Sequence, residues 1–294
     1  MKTTFSVIIP HYNSPLLLQR CLDSIPLRED IEVIVVDDNS SPEKVDFDHF
    51  PGATRKHTRI IFNKDSRGAG HARNLGVKQA SGKWLLFADA DDFFTPKAWS
   101  LFDAHIDAPQ DILYFGVTSV DSDTLQPTER YHLYDKYVQA YAADPTAENE
   151  NWLRYRHDVP WGKMIRHELV INYHILFGET RYCNDTLFSC NCALAAKTVT
   201  AISEAAYCVT DTEASLTKQQ SPEAVLIRFS VICQKNVLLR QHGLSQYQMP
   251  VLYFVRQALA ISPKTACRLI AIGNKYKCPW GKEIKRWICH TPVK

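Results

Sequence analysis

The sequence predicts an α/β protein: a mostly parallel sheet with flanking helices, followed by a mainly helical C-terminal region. Three observations lead there. Over the first 118 residues short β-rich runs alternate with helical patterns, the signature of βα units. The runs are continuously apolar, as strands covered on both faces should be. From about residue 150 the apolar residues recur mostly at helical spacing instead.

Taken in order, the first strand is Phe5 to Pro10, and Leu16-Leu17-Leu18 with Cys21, Leu22 and Ile25 then give a helix with one buried side. Strands follow at Ile31 to Asp37 and Thr58 to Asn63, a helix at Ala69 to Ala80 and a strand at Lys83 to Ala88. A helix at Pro96 to Ile106 and a strand at Asp111 to Val117 complete this part. Residues 119–150, rich in Asp, Tyr, Thr and Pro, lose both periodicities, which predicts a long loop or linker and a boundary. Beyond it, helices are expected at Asp185 to Ala196, Pro222 to Arg240, Ser245 to Ala260 and Pro263 to Tyr276. The division read from this is 1–118, then 119–220 completing the same domain, then a helical extension over 221–294.

A length of 294 residues is enough for one domain with a substantial appendage. The apolar share of 45% and charged share of 22% are those of ordinary globular proteins and argue against disorder. No apolar run reaches the length of a bilayer span, and the N-terminal run Phe5 to Pro10 is too short for a signal-peptide core. The nine scattered cysteines suit a reducing compartment. Cys190 and Cys192, the close pair, point to nearly opposite sides of a helix and read as buried thiols rather than a zinc site. A cytoplasmic protein is expected. Residues 264–294 carry eight Lys or Arg and only Glu283, giving +7 and leaving −5 for the rest of a chain whose net charge is +2. The main body therefore does not look like a nucleic-acid binder.

In open α/β sheets ligands bind beyond the carboxyl ends of the strands. The first strand ends in Pro10-His11-Tyr12-Asn13, the second in Asp37-Asp38-Asn39-Ser40, the fourth in Asp89-Ala90-Asp91-Asp92. Each cluster alone is explained by helix capping and turn formation. Acidic groups from two strands facing one crevice repel unless a cation or hydrogen-bond donors compensate them. Hard carboxylate ligands without a nearby His or Cys pattern point to Mg2+ or Mn2+, held together with substrate phosphates. Gly68-Ala69-Gly70 is a poor dinucleotide fingerprint, because it follows the third strand and Arg73 stands where the third glycine belongs.

The ordered series Ser6-Val7-Ile8-Ile9-Pro10-His11-Tyr12-Asn13, Glu32 to Ser40, Gly70-His71-Ala72-Arg73-Asn74-Leu75-Gly76 and Gly82 to Asp92 resembles the family 2 inverting glycosyltransferases with the GT-A fold. Fainter similarity continues through Val159 to Arg166, Tyr182 to Phe188 and Ser215-Leu216-Thr217. Where the family usually has a Glu-Asp pair, this chain has Asn184-Asp185. The resemblance implies a nucleotide-sugar-binding part over 1–118 and an acceptor-side part over 119–220. It also implies a nucleoside pocket lined by Pro10, Tyr12 and Asn13, a base edge held by Asp38 with Asp37 beside it, and Asp89 and Ala90 on the ribose side. Arg73 would make a donor contact or an internal ion pair. Asp91 would hold Mn2+ or Mg2+, and Asp92 would cap the next segment or support the metal shell.

By the same resemblance the chain moves a sugar from a nucleotide diphosphate sugar, with a UDP-sugar favoured, to a hydroxyl of a glycan or lipid-linked glycan. Surface-polysaccharide or glycan assembly is the broad setting. A metal offsets the charge growing on the leaving diphosphate, and Asp185 removes the acceptor proton. A helix N-cap is the alternative for Asp185. Trp161 forms a sugar-binding wall or a buried aromatic, and Lys163 attracts phosphate or lies on a solvated surface. A nucleotidyltransferase would instead show a glycine-rich loop after the first strand, and a catalytically silent sugar-nucleotide-binding protein would not keep Asp89, Asp91 and Asp185.

Within 279–290, Trp280, Ile284, Trp287 and Ile288 recur at helical spacing opposite Lys282, Lys285 and Arg286. That layout fits a helix lying on an anionic membrane surface, which would make the protein peripheral, or a helix docked on the protein's own core.

Overall fold

The computed structural model describes residues 3–212 and 219–288. The motif Ser215-Leu216-Thr217 lies outside the described residues, as do the side chains of Arg286, Trp287 and Ile288.

The strands are β1 (Phe5–His11), β2 (Ile31–Asp38), β3 (Thr58–Asn63), β4 (Trp84–Phe87), β5 (Phe93–Phe94), β6 (Ile112–Asp121), β7 (Lys163–Arg166) and β8 (Val199–Asp211). They form one sheet in the order β3-β2-β1-β4-β7-β6-β8-β5. The pairs β1–β2, β2–β3, β1–β4 and β6–β8 are parallel, and β7 and β5 are antiparallel to their neighbours. Because β1, β2 and β4 run the same way, their carboxyl ends reach one edge and bring together the three polar clusters that follow them.

The continuous apolar runs follow from burial on both sides. Side chains alternate across a strand, so Phe5, Val7 and Ile9 of β1 join the core with Leu18, Cys21 and Leu22 of α1 (Pro15–Asp23). Ile8 joins the opposite core with Val77 of α2 (Ala69–Gln79). Gly76 lets that helix lie close to the sheet, since a Cβ there would sit 2.5 Å from Ile8 Cγ2.

The predicted linker at 119–150 is not a loop. β6 runs on to Asp121, across the 118/119 division, and α4 (His132–Ala143) and α5 (Ala147–Arg156) follow after a turn. A polar anchor obscured the pattern: Asp135 on α4 is buried and accepts the Val117 N–H at 3.0 Å. The region after 150 also contributes two strands to the sheet, β7 and the 13-residue β8. The helix expected at Ser245 to Ala260 is a 3-10 turn, Ser245–Tyr247, followed by α9 (Leu252–Ile261). Pro250 lies between them, and a proline inside a helix would cost it a backbone hydrogen bond and introduce a clash.

The remaining helices are α3 (Ala98–Ala104), α6 (His167–Asn172), α7 (Thr186–Ala195), α8 (Pro222–Gln241), α10 (Pro263–Lys275) and α11 (Trp280–Ile288). Val225, Phe229 and Ile232 of α8 form a separate core with Val255, Ala258, Ala266 and Leu269. Lys235 fastens α8 to the sheet-bearing part. Fully buried, it donates to the Tyr155 carbonyl at 2.6 Å and to the Asp158 carboxylate.

Removing one partner of a buried ion pair leaves an uncompensated charge. We predict that Lys235→Met lowers unfolding stability by about 3 kcal/mol, measured as a shift in urea midpoint, and that adding Asp158→Asn restores part of the loss. Unchanged midpoints would show that the pair does not hold α8 in place.

Candidate functional site

The loops after β1 and β2 are latched together. Asp37 is 1% exposed; it bonds His11 Nδ1 at 2.7 Å and receives both the Ser40 N–H at 3.0 Å and the Ser40 hydroxyl at 2.5 Å. His11 Nε2 faces the Ser14 N–H at 3.1 Å, so the pattern assigns the ring proton to Nδ1, which donates to Asp37. Burial would raise the Asp37 carboxyl, but the bonds from His11 and Ser40 outweigh it and hold the group below its ordinary value. Asn13, at φ 54°, closes the latch by receiving the Ser41 N–H at 2.8 Å while its own N–H reaches Ser40 Oγ at 2.8 Å.

Asp37, expected beside Asp38 at the base edge, thus has its carboxylate oxygens engaged within the protein. Asp38 holds the next loop, accepting Asn63 Nδ2 at 2.7 Å and the N–H groups of Arg67 and Gly68 at 3.2 and 2.7 Å. Pro10 is buried beneath the crevice, whereas Tyr12 is 58% exposed at its mouth.

Beyond β4 the carboxylates of Asp89, Asp91 and Asp92 each offer an oxygen within 4.8 Å of the others. They are not equivalent. Asp92 is buried and accepts the Thr210 N–H at 2.7 Å and the Tyr207 hydroxyl at 3.0 Å. Tyr207 in turn accepts the Asp89 N–H at 2.9 Å, so β8 straps both ends of the Asp89-Ala90-Asp91-Asp92 turn, with Ala90 buried inside it. Asp89 is ion-paired with Arg73. The Asp91 backbone carbonyl is held by Arg20 Nη2 at 2.7 Å and Thr210 Oγ1 at 2.9 Å, while its carboxylate has no side-chain hydrogen-bond or ion-pair partner among the described residues. Burial, then the charge of Asp89, raises the Asp91 carboxyl; burial and its two acidic neighbours raise Asp92 well above the carboxylate range. A hard divalent cation suits this donor set, with Asp91 as the free ligand.

Opposite lies Asp185, at the residue preceding α7. It makes no capping hydrogen bond, so the capping role expected as an alternative is not what holds it. Burial pushes its carboxyl up to about 6, with Arg73 opposing the rise and Asp89 adding to it. Its loop is clamped by α2. Asn74 exchanges hydrogen bonds with Phe177, giving to its carbonyl at 3.1 Å and receiving its N–H at 2.8 Å. A Cβ on Gly70 would meet the Gly178 carbonyl oxygen at 2.0 Å. Arg73, 5% exposed, gives one nitrogen to Asn184 Oδ1 at 2.8 Å and the other to Asp89, which makes it the link between the acidic turn and the Asp185 loop.

Trp161 and Lys163 do not offer themselves to a sugar. Trp161 is 6% exposed and stacks on Tyr207 with ring centres 5.5 Å apart, so it backs the acidic turn from behind. Lys163, read as a phosphate contact or a surface residue, is buried, donating to the His157 carbonyl at 2.8 Å over the Tyr114 ring. Burial draws its amine down to about 8. Sequence reasoning missed Arg20 and Tyr207. The β-rich alternation of Val199 to Asp211 could have exposed the strand carrying Tyr207, but nothing local marks Arg20, whose partners Asp91 and Ser122 are far along the chain.

Comparison with known proteins adds independent ground. The chain is 24% identical over 265 residues to an uncharacterized glycosyltransferase, EpsJ, of Bacillus subtilis strain 168, covering 87% of this chain and 71% of that protein. Its fold is similar to that of Staphylococcus aureus TarS 1–349 solved in complex with UDP-GlcNAc, with a TM-score of 0.71 and 22% identity over 93% of this chain and 80% of the other. It is also similar to the mannosyltransferase PcManGT of Pyrobaculum calidifontis in complex with GDP-Man and Mn2+, with a TM-score of 0.54 and 16% identity over 96% and 84% of the two chains. The GT-A-like fold expected from the sequence is thus the fold found. The profile described as glycosyl transferase family 2 matches residues 6–182, which contain the polar ends of β1, β2 and β4 as well as α2, and on that match the chain belongs to glycosyl transferase family 2.

Proposed function

We propose that the chain transfers a sugar from a nucleotide diphosphate sugar, with a UDP-sugar favoured, to a hydroxyl of a glycan or lipid-linked glycan, inverting the anomeric centre, with Mn2+ or Mg2+ as cofactor. The observation that carries this reading is the asymmetry of the acidic turn. Asp92 and Asp89 have side-chain partners, and Asp91 beside them has none among the described residues. The solved relatives support it in kind, since TarS is bound to UDP-GlcNAc and PcManGT to GDP-Man and Mn2+.

Residues 1–118 hold the donor in this reading, with Tyr12 and Asn13 at the nucleoside, Asp38 at the base edge and Asp89 and Ala90 toward the ribose. Asp91 would hold the cation, which supplies a fixed positive charge against the negative charge that grows on the leaving diphosphate. Asp185 takes the proton from the acceptor hydroxyl as that oxygen attacks the anomeric carbon from the face opposite the diphosphate. Its half-buried position and raised pKa suit a base that must hold a proton briefly. Arg73 acts as a positioning residue, keeping the Asp185 loop in register with Asp89. Residues 119–220 complete the acceptor side and 221–294 form the helical extension. A lipid-linked acceptor would put the enzyme to work peripherally at the cytoplasmic face of a membrane.

The active form of Asp185 is the carboxylate, so turnover falls roughly tenfold per pH unit below its pKa of about 6 and is flat above it. We predict that Asp185→Asn lowers kcat by about 10²–10⁴-fold and removes this acidic limb, with donor affinity nearly unchanged. Steady-state transfer across pH with saturating soluble acceptor measures both. Full turnover in the variant would rule out Asp185 as the base.

A second prediction concerns Arg73→Lys, which keeps the charge but not the two-pronged geometry. It should leave donor KM within a few-fold and depress kcat, with the acidic limb still present. Loss of donor binding with kcat intact would instead make Arg73 a donor contact.

A further inference from the structure

No Asp or Glu occurs between Glu223 and Glu283. Arg256 on α9, Lys264, Arg268 and Lys275 on α10, and Lys277 and Lys282 beyond it are all exposed, and none is ion-paired among the described residues. Surface cations are ordinarily interspersed with anions, so a stretch this long without one carries an uncompensated positive field.

The same helices expose large apolar side chains. Tyr253 is 60% and Leu259 56% exposed on α9, Ile270 42% on α10 and Ile284 45% on α11. These are not spare core positions, because the core against α8 is already filled by Val255, Ala258, Ala266 and Leu269 from the inner sides of the same helices. At 100° per residue Tyr253, Arg256 and Ala260 project opposite Val255 and Ala258. Apolar and aromatic side chains set among unpaired cations are the composition of a helix face in the headgroup region of a bilayer.

We infer that the outward faces of α9 and α10, continued by Ile284 of α11, form a docking surface for an anionic lipid bilayer, which deepens and rests on the peripheral reading given above. The surface differs from the single helix over 279–290 that the sequence suggests. Trp280 is turned inward, as the core-docked alternative has it: its Nε1 donates to Asn274 Oδ1 at 2.8 Å, and its ring stacks toward Phe229 with centres 6.4 Å apart. It sits so close to α10 that a Cβ on Gly273 would lie 2.2 Å from it. Trp280 thus fixes α11 to the bundle, and membrane contact falls to the helix pair before it. Among the described residues no helix is long and apolar enough to cross a membrane, so attachment here is lateral.

Cosedimentation of the full chain with phosphatidylcholine vesicles, with and without phosphatidylglycerol, tests this. Binding should require the anionic lipid and weaken as salt is raised. Arg256→Gln, Lys264→Gln and Arg268→Gln together should cut partitioning at low salt on the order of a hundredfold. Leu259→Ser with Ile270→Ser should also reduce it while leaving the salt dependence. Both variants change exposed side chains, and matching thermal melts would show that the fold is kept; should one misfold, the other still decides. Equal pelleting with neutral and anionic vesicles, wild-type partitioning in a folded variant, or retention on heparin without vesicle binding would overturn the inference. The vesicles carry no donor or acceptor, so the outcome is independent of the transfer assays.

Discussion

Like charges confined at the end of β4 set the terms for everything around them. Two unit charges 4 Å apart near a protein surface repel by about 4 kcal/mol, several times the net worth of an ordinary hydrogen bond. Asp89, Asp91 and Asp92 each offer an oxygen within 4.8 Å of the others, so the turn persists only if its neighbours answer each charge. Thr210 and Tyr207 answer Asp92, and Arg73 answers Asp89. Arg20 holds the Asp91 backbone without neutralising its carboxylate. One negative group thus has no ion-pair partner among the described residues, only the more distant charges of Arg130 and Arg20 favouring it, at the edge where the carboxyl ends of β1, β2 and β4 meet. The placing of β8 beside this turn, with Trp161 stacked behind Tyr207, follows from the same need.

The second consequence is mechanical. Arg73 cannot serve Asp89 without also reaching Asn184, and α2 cannot move without carrying the loop it grips through Gly70 and Asn74. The acidic turn that would carry the metal and the loop that carries Asp185 are therefore tied together through one helix. Asn184 fits this arrangement. A glutamate there would give Arg73 a second carboxylate to pair with, whereas the neutral amide leaves more of its positive charge to Asp89 and to the field felt by Asp185.

The parallel half of the fold was legible because its strands are covered on both faces, and unbroken apolar runs such as Phe5 to Ile9 have no other economical reading. The acidic clusters were legible because strand ends are ligand-binding places on such sheets. What local pattern could not supply was occupancy. Asp37 and Asp92 look as available as Asp91 in the sequence, yet their oxygens are engaged by His11 and Thr210, groups far along the chain or on elements read otherwise. For Trp161 the buried alternative is the one found, whereas the burial of Lys163 matched neither reading, since only the tertiary fold puts His157 against it. The strands β7 and β8 were hidden by their setting, one short and one interrupted opposite Gly116 by a bulge carrying exposed Ser203 and Glu204.

The account turns on Asp91 being the free metal ligand, and electron paramagnetic resonance of Mn2+ reports on that directly. Titrating the wild-type chain with Mn2+ in the presence of UDP should show uptake of a single ion per chain that is much weaker without nucleotide, because the phosphates complete the coordination. Asp91→Asn should abolish that uptake while the protein remains folded. Equal Mn2+ uptake by the variant, or tight UDP-sugar binding by the wild type unaffected by removing the metal, would contradict it.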